Sequence, residues 1–159
     1  MITRKATIDD APALVELINA AYSVEDFFVH GKRTTQEYVS SHIETPNADF
    51  LVIDGSDDKK LIGAVYVELR GDRGYFGLLS VDPAQQTKGL GRMLVNAAET
   101  YCRAAGCQAL DIEVVNLRIE LPAFYAKFGF TPFDTAPFPH PGRLRRQAHL
   151  VLMTKSLGA

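Results

Sequence analysis

The hydrophobic pattern of this chain changes character at Val81, and that change limits what it can fold into. Before it, three stretches in succession read as strands: "DFLVI" (49–53), "KLIGAVYVELR" (60–70) and "RGYFGLLSV" (73–81). They are separated only by the polar turns "DGSDDKK" and "GD". Strands joined this closely form an antiparallel meander. After Val81 the apolar residues recur at helical spacing. Met93, Leu94, Ala97, Ala98, Tyr101 and Ala105 share one face of a helix over 91–106, which Gly106 stops. A strand follows at 108–115 and a helix at 120–130, with Leu121, Phe124, Tyr125 and Phe128 on one face, Pro122 in the first turn and Gly129 as C-cap.

The flanks complete the order. A short strand is expected at 2–7, then a helix over 8–22 capped by Asp9 or Asp10, with Leu14, Leu17, Ile18 and Tyr22 at helical spacing. A loop (23–34) leads to a weaker helix over 35–44, capped by Thr34 or Thr35. The C-terminal part reads as a Pro-rich strand and loop (130–147) and a closing strand (148–157). The sum is βααβββ, αβα, ββ: a mixed α/β fold with one domain spanning 1–159.

Composition excludes several classes. A formal net charge of −2 gives no bulk attraction for nucleic acid. No run approaches the roughly 20 apolar residues of a membrane span, and the N-terminus lacks a signal-peptide core. A soluble, cytoplasmic protein is expected, with no nucleic-acid or membrane partner. Cys102 and Cys107, five apart and pointing in different directions, form no disulfide frame, and no metal site is expected.

The loop "VDPAQQTKGLGRML" (81–94) places Gly89 and Gly91 between a strand and a helix. A helix N-terminus offers unpaired N–H groups and a positive dipole end. Phosphate can sit there when no side chain obstructs it, and Lys88 and Arg92 add positive charge. The arrangement is not a Walker A loop or a dinucleotide fingerprint. A tight strand-to-helix turn with no ligand is the plainer alternative.

Gln86-Thr87-Lys88-Gly89-Leu90-Gly91, preceded by Leu79, Val81 and Pro83, resembles the Gln/Arg-x-x-Gly-x-Gly/Ala motif of the GNAT family of N-acetyltransferases. "NLRIELPAFYAKFGF" (116–130) resembles the family's second motif, and the element order is similar to its fold. The resemblance implies a mixed, mostly antiparallel sheet splayed at an acyl-CoA site and flanked by helices. It implies acetyl-CoA as co-substrate and no metal. The pyrophosphate would lie on the N–H groups of Gln86, Thr87, Lys88, Gly89, Leu90, Gly91 and Arg92, and the pantetheine would pair with the strand at Leu79 to Val81. Thr87 stands where relatives often have glycine, which is tolerable if its φ stays negative.

The implied reaction moves an acetyl group from the thioester directly to a primary amine of a small molecule or peptide. It needs a neutral amine, a stabilised oxyanion and a proton for the leaving thiolate. Tyr125 occupies the family's position for the acid; a core tyrosine is the plain alternative. A backbone N–H near Leu79 to Val81 would hold the oxyanion. Asn116 is a candidate for hydrogen bonding to pantetheine, or simply a turn residue. Glu113, on the strand before Tyr125, is the base candidate, acting through water, or a solvated carboxylate. Glu68, Tyr75 and His149 are weaker candidates.

The resemblance also assigns acceptor choice to "SVEDFFVHGKR" and "DTAPFPHPGRLRR". Phe27 and Phe28 could line an apolar acceptor pocket or simply pack. Arg143 to Arg146 could attract an acidic acceptor or the adenosine 3′-phosphate, or form a solvated loop. A non-catalytic acyl-CoA-binding sensor of the same fold is the rival function, and a homodimer is compatible with the family.

Overall fold

The computed structural model describes residues 2–56 and 60–158. Part of the polar turn expected at 54–60, residues 57–59, lies outside them. The strands are β1 (Arg4–Lys5), β2 (Ala48–Asp54), β3 (Leu61–Arg70), β4 (Arg73–Val81), β5 (Ala109–Val115), β6 (Thr131–Pro137) and β7 (His149–Ser156). The helices are α1 (Ala11–Tyr22), α2 (Gln36–Ile43), α3 (Leu90–Ala104) and α4 (Leu121–Ala126). Short 3₁₀ turns at Ile8–Asp10, Ser23–Glu25, Pro83–Gln85 and Pro141–Arg143 join them. The expected order is therefore the observed one.

Local chemistry explains the boundaries. Thr35 caps α2, its hydroxyl accepting from Tyr38 N–H at 3.2 Å. The cap expected from Asp9 or Asp10 takes a different form. A 3₁₀ turn occupies 8–10, and the Asp10 carboxylate accepts from Thr7 N–H and from Arg4 rather than capping α1. Arg4 holds the Asp10 carboxyl below the usual carboxylate range. The last helix is shorter than its apolar pattern: α4 ends at Ala126, and Gly129, at φ +97°, turns the chain into β6.

The seven strands form one sheet in the order β1-β2-β3-β4-β5-β7-β6. Only β4 and β5 run parallel; the other pairs are antiparallel. On one face α1 and α2 pack through Leu14, Leu17, Ile18 and Val39 onto Phe50, Val52, Ala64 and Tyr66. On the other, α3 and α4 pack through Leu94, Val95, Ala98 and Tyr125 onto Leu51, Val65, Phe76, Leu110 and Ile112. Phe50 and Leu51 going to opposite faces is the two-residue strand period at work.

Two features shape β4. Gly74 lets α3 lie close, since a Cβ there would stand 2.3 Å from Cys102 Sγ. Farther along, a bulge interrupts the β3–β4 ladder, with Leu78 at φ +53°. The cysteines also differ from expectation. Gly106, at φ +82°, reverses the chain so that Cys107 N–H donates to Cys102 O at 3.0 Å, and both thiols share one core as free cysteines. Burial, then the neighbouring Cys107, pushes the Cys102 thiol up to about 12.

The Gly74–Cys102 contact is testable. Gly74→Ala is expected to destabilise the fold by about 1–3 kcal/mol, as over-packing does in other cores. Chemical denaturation reads the change. Shortening the opposing side chain in a Gly74→Ala/Cys102→Ala double variant should recover much of it.

Candidate active site

β4 and β5 start as paired neighbours and then separate. Their ladder runs only from Arg73 opposite Ala109 to Tyr75 opposite Asp111. Beyond it, Phe76–Val81 and Ile112–Val115 present inner edges to each other without a partner strand. The outer edges stay paired, β4 to β3 and β5 to β7. Asp82 N–H donates outward to Ile62 O at 2.9 Å. By strand alternation the backbone groups of Val81 and Leu79 point inward, at the opening. An extended ligand could therefore pair with the expected residues.

The opening leads to the glycine loop. Among the described residues, no protein acceptor takes the backbone N–H groups of Gln86 to Arg92; the first one engaged belongs to Met93, which donates to Gly89 O at 3.1 Å. Gly89 is the N-cap of α3 at φ +77°, and a Cβ there would meet nothing within 4 Å. Glycine thus serves the left-handed backbone and leaves the space over the amides open. Gly91 is less constrained, its Cβ position lying 3.5 Å from Phe124. Thr87 departs from expectation: its φ is +73°, not negative. A β-branched residue there is strained, which accounts for glycine suiting this position. Lys88 Nζ donates to Gln85 Oε1 at 2.9 Å, and the Arg92 guanidinium sits 5.0 Å from the Phe128 ring centre. Open amides, clear space and two cations suit a pyrophosphate, so the residues present fit a coenzyme A moiety.

Tyr125 comes from the α4 layer. Its ring packs against Phe76, Phe124 and Phe130 and is only 6% exposed. Its hydroxyl has no hydrogen-bond partner among the described residues, and no buried polar side-chain atom is left orphaned, so the oxygen faces open space. Burial, with Tyr22 next, raises the phenol well above its ordinary value. Tyr22 and Tyr75 belong to the α1 layer, and the gap between strands brings all three phenols within electrostatic reach. Gly77 makes room for Tyr75, whose Oη would lie 2.6 Å from a Cβ at that position.

The other candidates divide. Glu113 is exposed and on the α1/α2 side, and its charge reaches Tyr75 and Arg70. Glu68 is committed elsewhere: it accepts from Tyr66 Oη at 2.7 Å and from Arg70 Nε at 2.8 Å. His149 is exposed, and Asn116 ties its backbone, Oδ1 accepting from His149 N–H at 2.8 Å. The turn-residue alternative for Asn116 is thus realised, with only Nδ2 left to donate to a ligand. Phe28 is fully buried, the packing alternative, and Phe27 is 46% exposed beneath Arg146.

Sequence reading missed Glu25 and Arg118. Arg118 Nη1 donates to Glu25 Oε2 at 2.9 Å, tying the segment before α4 to the turn after α1. The pair is largely buried, and burial raises the Glu25 carboxyl despite Arg118. Nothing in the chain pattern links positions so far apart.

The Acetyltransferase (GNAT) family profile matches residues 12–130. The chain belongs to that family. It is accordingly an acyltransferase by kinship, and solved structures share its fold throughout. The ribosomal-protein-S18-alanine N-acetyltransferase from Escherichia coli superposes with a TM-score of 0.79 at 16% identity, covering 99% of this chain and 94% of the other. The PaiA N-acetyltransferase from Thermoplasma acidophilum, solved in complex with coenzyme A, gives 0.75 at 20% identity, covering 97% of each chain. An N-acetyltransferase from Staphylococcus aureus gives 0.77 at 16% identity, covering 98% of each. No curated protein matches the sequence. Among the described residues, no helix is long and apolar enough to cross a membrane, and no cluster of His, Cys, Asp or Glu could hold a metal ion.

The loop of this acetyltransferase separates strain from occupancy. Gly89→Ala should cost about 1–2 kcal/mol of stability for its left-handed φ yet keep coenzyme A binding. Gly89→Glu should abolish binding, because its carboxylate would occupy the anion site. Thr87→Gly should keep binding without loss of melting temperature. Calorimetric titration with coenzyme A alongside thermal unfolding distinguishes the three.

Proposed function

We propose that this chain, acting as one domain over 1–159 in the cytoplasm, is an acetyl-CoA-dependent N-acetyltransferase whose acceptor is a primary amine of a small molecule or peptide. The carrying observation is the unpaired gap between β4 and β5, which ends just before the open amides of Gln86–Arg92; Tyr125, its ring packed on Phe76 of β4, supports the acid role. A sensor module would need the amides but not a phenol with a free hydroxyl beside β4.

Acetyl-CoA supplies a thioester, whose carbonyl carbon bonds the amine nitrogen while its carbon–sulfur bond breaks. The chain's own groups do the rest. Backbone amides of Gln86, Thr87, Lys88, Gly89, Leu90, Gly91 and Arg92 hold the pyrophosphate. The inward backbone groups of Leu79 and Val81 pair with the pantetheine, aided by Asn116 Nδ2, and an N–H of that strand polarises the carbonyl oxygen. Tyr125 donates its phenolic proton to the departing thiolate and regains one from solvent. Its raised pKa keeps that proton in place until sulfur requires it. Glu113 takes the amine proton through water. It lies exposed on the α1/α2 side of the sheet.

Tyr125→Phe should lower kcat by about 100-fold with little change in the dissociation constant of acetyl-CoA; unchanged turnover would remove the acid role. Glu113→Gln should slow the reaction most at low pH. Because the Tyr125 pKa is raised, its acid form persists upward, so wild-type kcat should show no falling limb up to about pH 10. Release of free thiol in the presence of an amine panel reads all three.

A further inference from the structure

Beside the gap lies a second cleft, of about 420 Å³, whose use the reaction above leaves open. Tyr22, Asp26, Lys32, Arg33 and Arg145 line it, with Asn19. Its walls are the segment after α1 and the tail before β7, far apart in the chain. They are stitched together before any ligand arrives. Val29 and Leu144 form a β-bridge. His30 N–H donates to Arg143 O at 2.8 Å, and Arg145 N–H donates to Phe28 O at 2.7 Å. The Arg143 guanidinium donates to His30 O at 3.1 Å and Lys32 O at 2.6 Å. The three arginines of "GRLRR" therefore do not form a uniform solvated run: Arg143 is a staple, Arg146 lies over Phe27, and Arg145 turns to the cleft.

Arg33 is held on both sides. Lys32 O is taken by Arg143, and buried Thr34 is gripped by the Asn19 amide, which accepts from Thr34 N–H at 2.9 Å and donates to Thr34 O at 3.2 Å. The guanidinium is half-buried, 5.2 Å from the Tyr22 ring centre. Among the described residues, Lys32, Arg33 and Arg145 make no ion pair, and neither does Asp26. Glu25, which the Arg33 charge also reaches, is taken by Arg118. So an acidic chain concentrates three unpaired cations against one carboxylate in one preformed cleft.

The cleft also communicates with the reaction centre. Tyr22 forms its inner wall and lies within electrostatic reach of Tyr125 and Tyr75, and the Arg33 charge is felt at Tyr75 as well. A ligand held at Arg33 could thus extend past Tyr22 toward Tyr125. Planar guanidinium matches carboxylate in a bidentate pair, and partial desolvation strengthens it. A space of this size takes a molecule of amino-acid scale.

We infer that the acceptor is a small amine bearing a carboxylate, and that Arg33, assisted by Lys32 and Arg145, binds that carboxylate in the cleft lined by Tyr22. This rests on the N-acetyltransferase reading above and narrows its substrate class.

Matched acceptors of similar amine basicity test it: γ-aminobutyrate against its amide, and glycylglycine against glycylglycinamide, each with acetyl-CoA and thiol detection. In at least one pair the carboxylate should be favoured about tenfold or more in kcat/KM. Arg33→Gln should bring that pair near parity through KM, leaving the KM of acetyl-CoA unchanged, and Arg33→Lys should restore part of the preference. Equal rates within both pairs, or a preference that survives Arg33→Gln, would overturn the inference. Where neither pair turns over, NMR titration of the same four compounds into the free and coenzyme A-loaded protein decides. Carboxylate-selective binding lost in Arg33→Gln supports it, and no selectivity overturns it. Failure of acetyl-CoA to raise the melting temperature would instead sink the donor-site reading, and the titration of the free protein still judges the carboxylate site.

Discussion

The central constraint is a ladder that stops. β4 and β5 hold each other only as far as Tyr75 and Asp111, and then their inner edges diverge. Unpaired backbone N–H and C=O groups inside a sheet are costly unless something satisfies them. The bulge at Leu78 helps keep β4 turned away, at the expense of a left-handed backbone in a residue that disfavours it. The outer pairings with β3 and β7 carry the sheet across the interruption. The gap is thereby a fixed part of the fold.

The gap also decides which side chains can meet. A continuous sheet would separate the α1/α2 layer from the α3/α4 layer. Here Tyr125 from α4 reaches the neighbourhood of Tyr22 and Tyr75 from the other side. The Glu25–Arg118 pair ties the turn after α1 to the segment leading into α4. Breaking such a largely buried pair leaves a charge without a partner, which is the expensive direction of change. Its role here is positional: it sets where the helix carrying Tyr125 begins.

Much of this was legible in the chain. Strand periodicity at 49–81, helical periodicity at 91–106 and the order of elements were all read correctly, because burial on one face writes itself into spacing. The glycine loop was legible as an open turn into a helix, since Gly89 is where the backbone needs φ above zero. Thr87 was less legible: its own side chain carries no sign of a left-handed φ, and only the glycine common there in relatives pointed to it. Cys107 was misread for a similar reason. Counting along a helix gives directions only while the helix lasts, and the reversal at Gly106 lies beyond it. Phe27 and Phe28 looked equivalent, but the Val29–Leu144 bridge turns one inward and leaves the other out.

By itself, then, the amino-acid pattern determined the element order, the two buried faces and the open glycine turn before α3, because each depends on neighbours within a turn or a strand; Tyr125 entered as a candidate donor through the family resemblance. Only the tertiary structure decided where β4 and β5 part, that Glu68 and Asn116 Oδ1 are already engaged, that Glu25 finds Arg118, and that Arg33 and Arg145 face one cleft. Those facts depend on hydrogen bonds and charges between residues remote in sequence, and such pairings leave no periodic trace in either partner's surroundings.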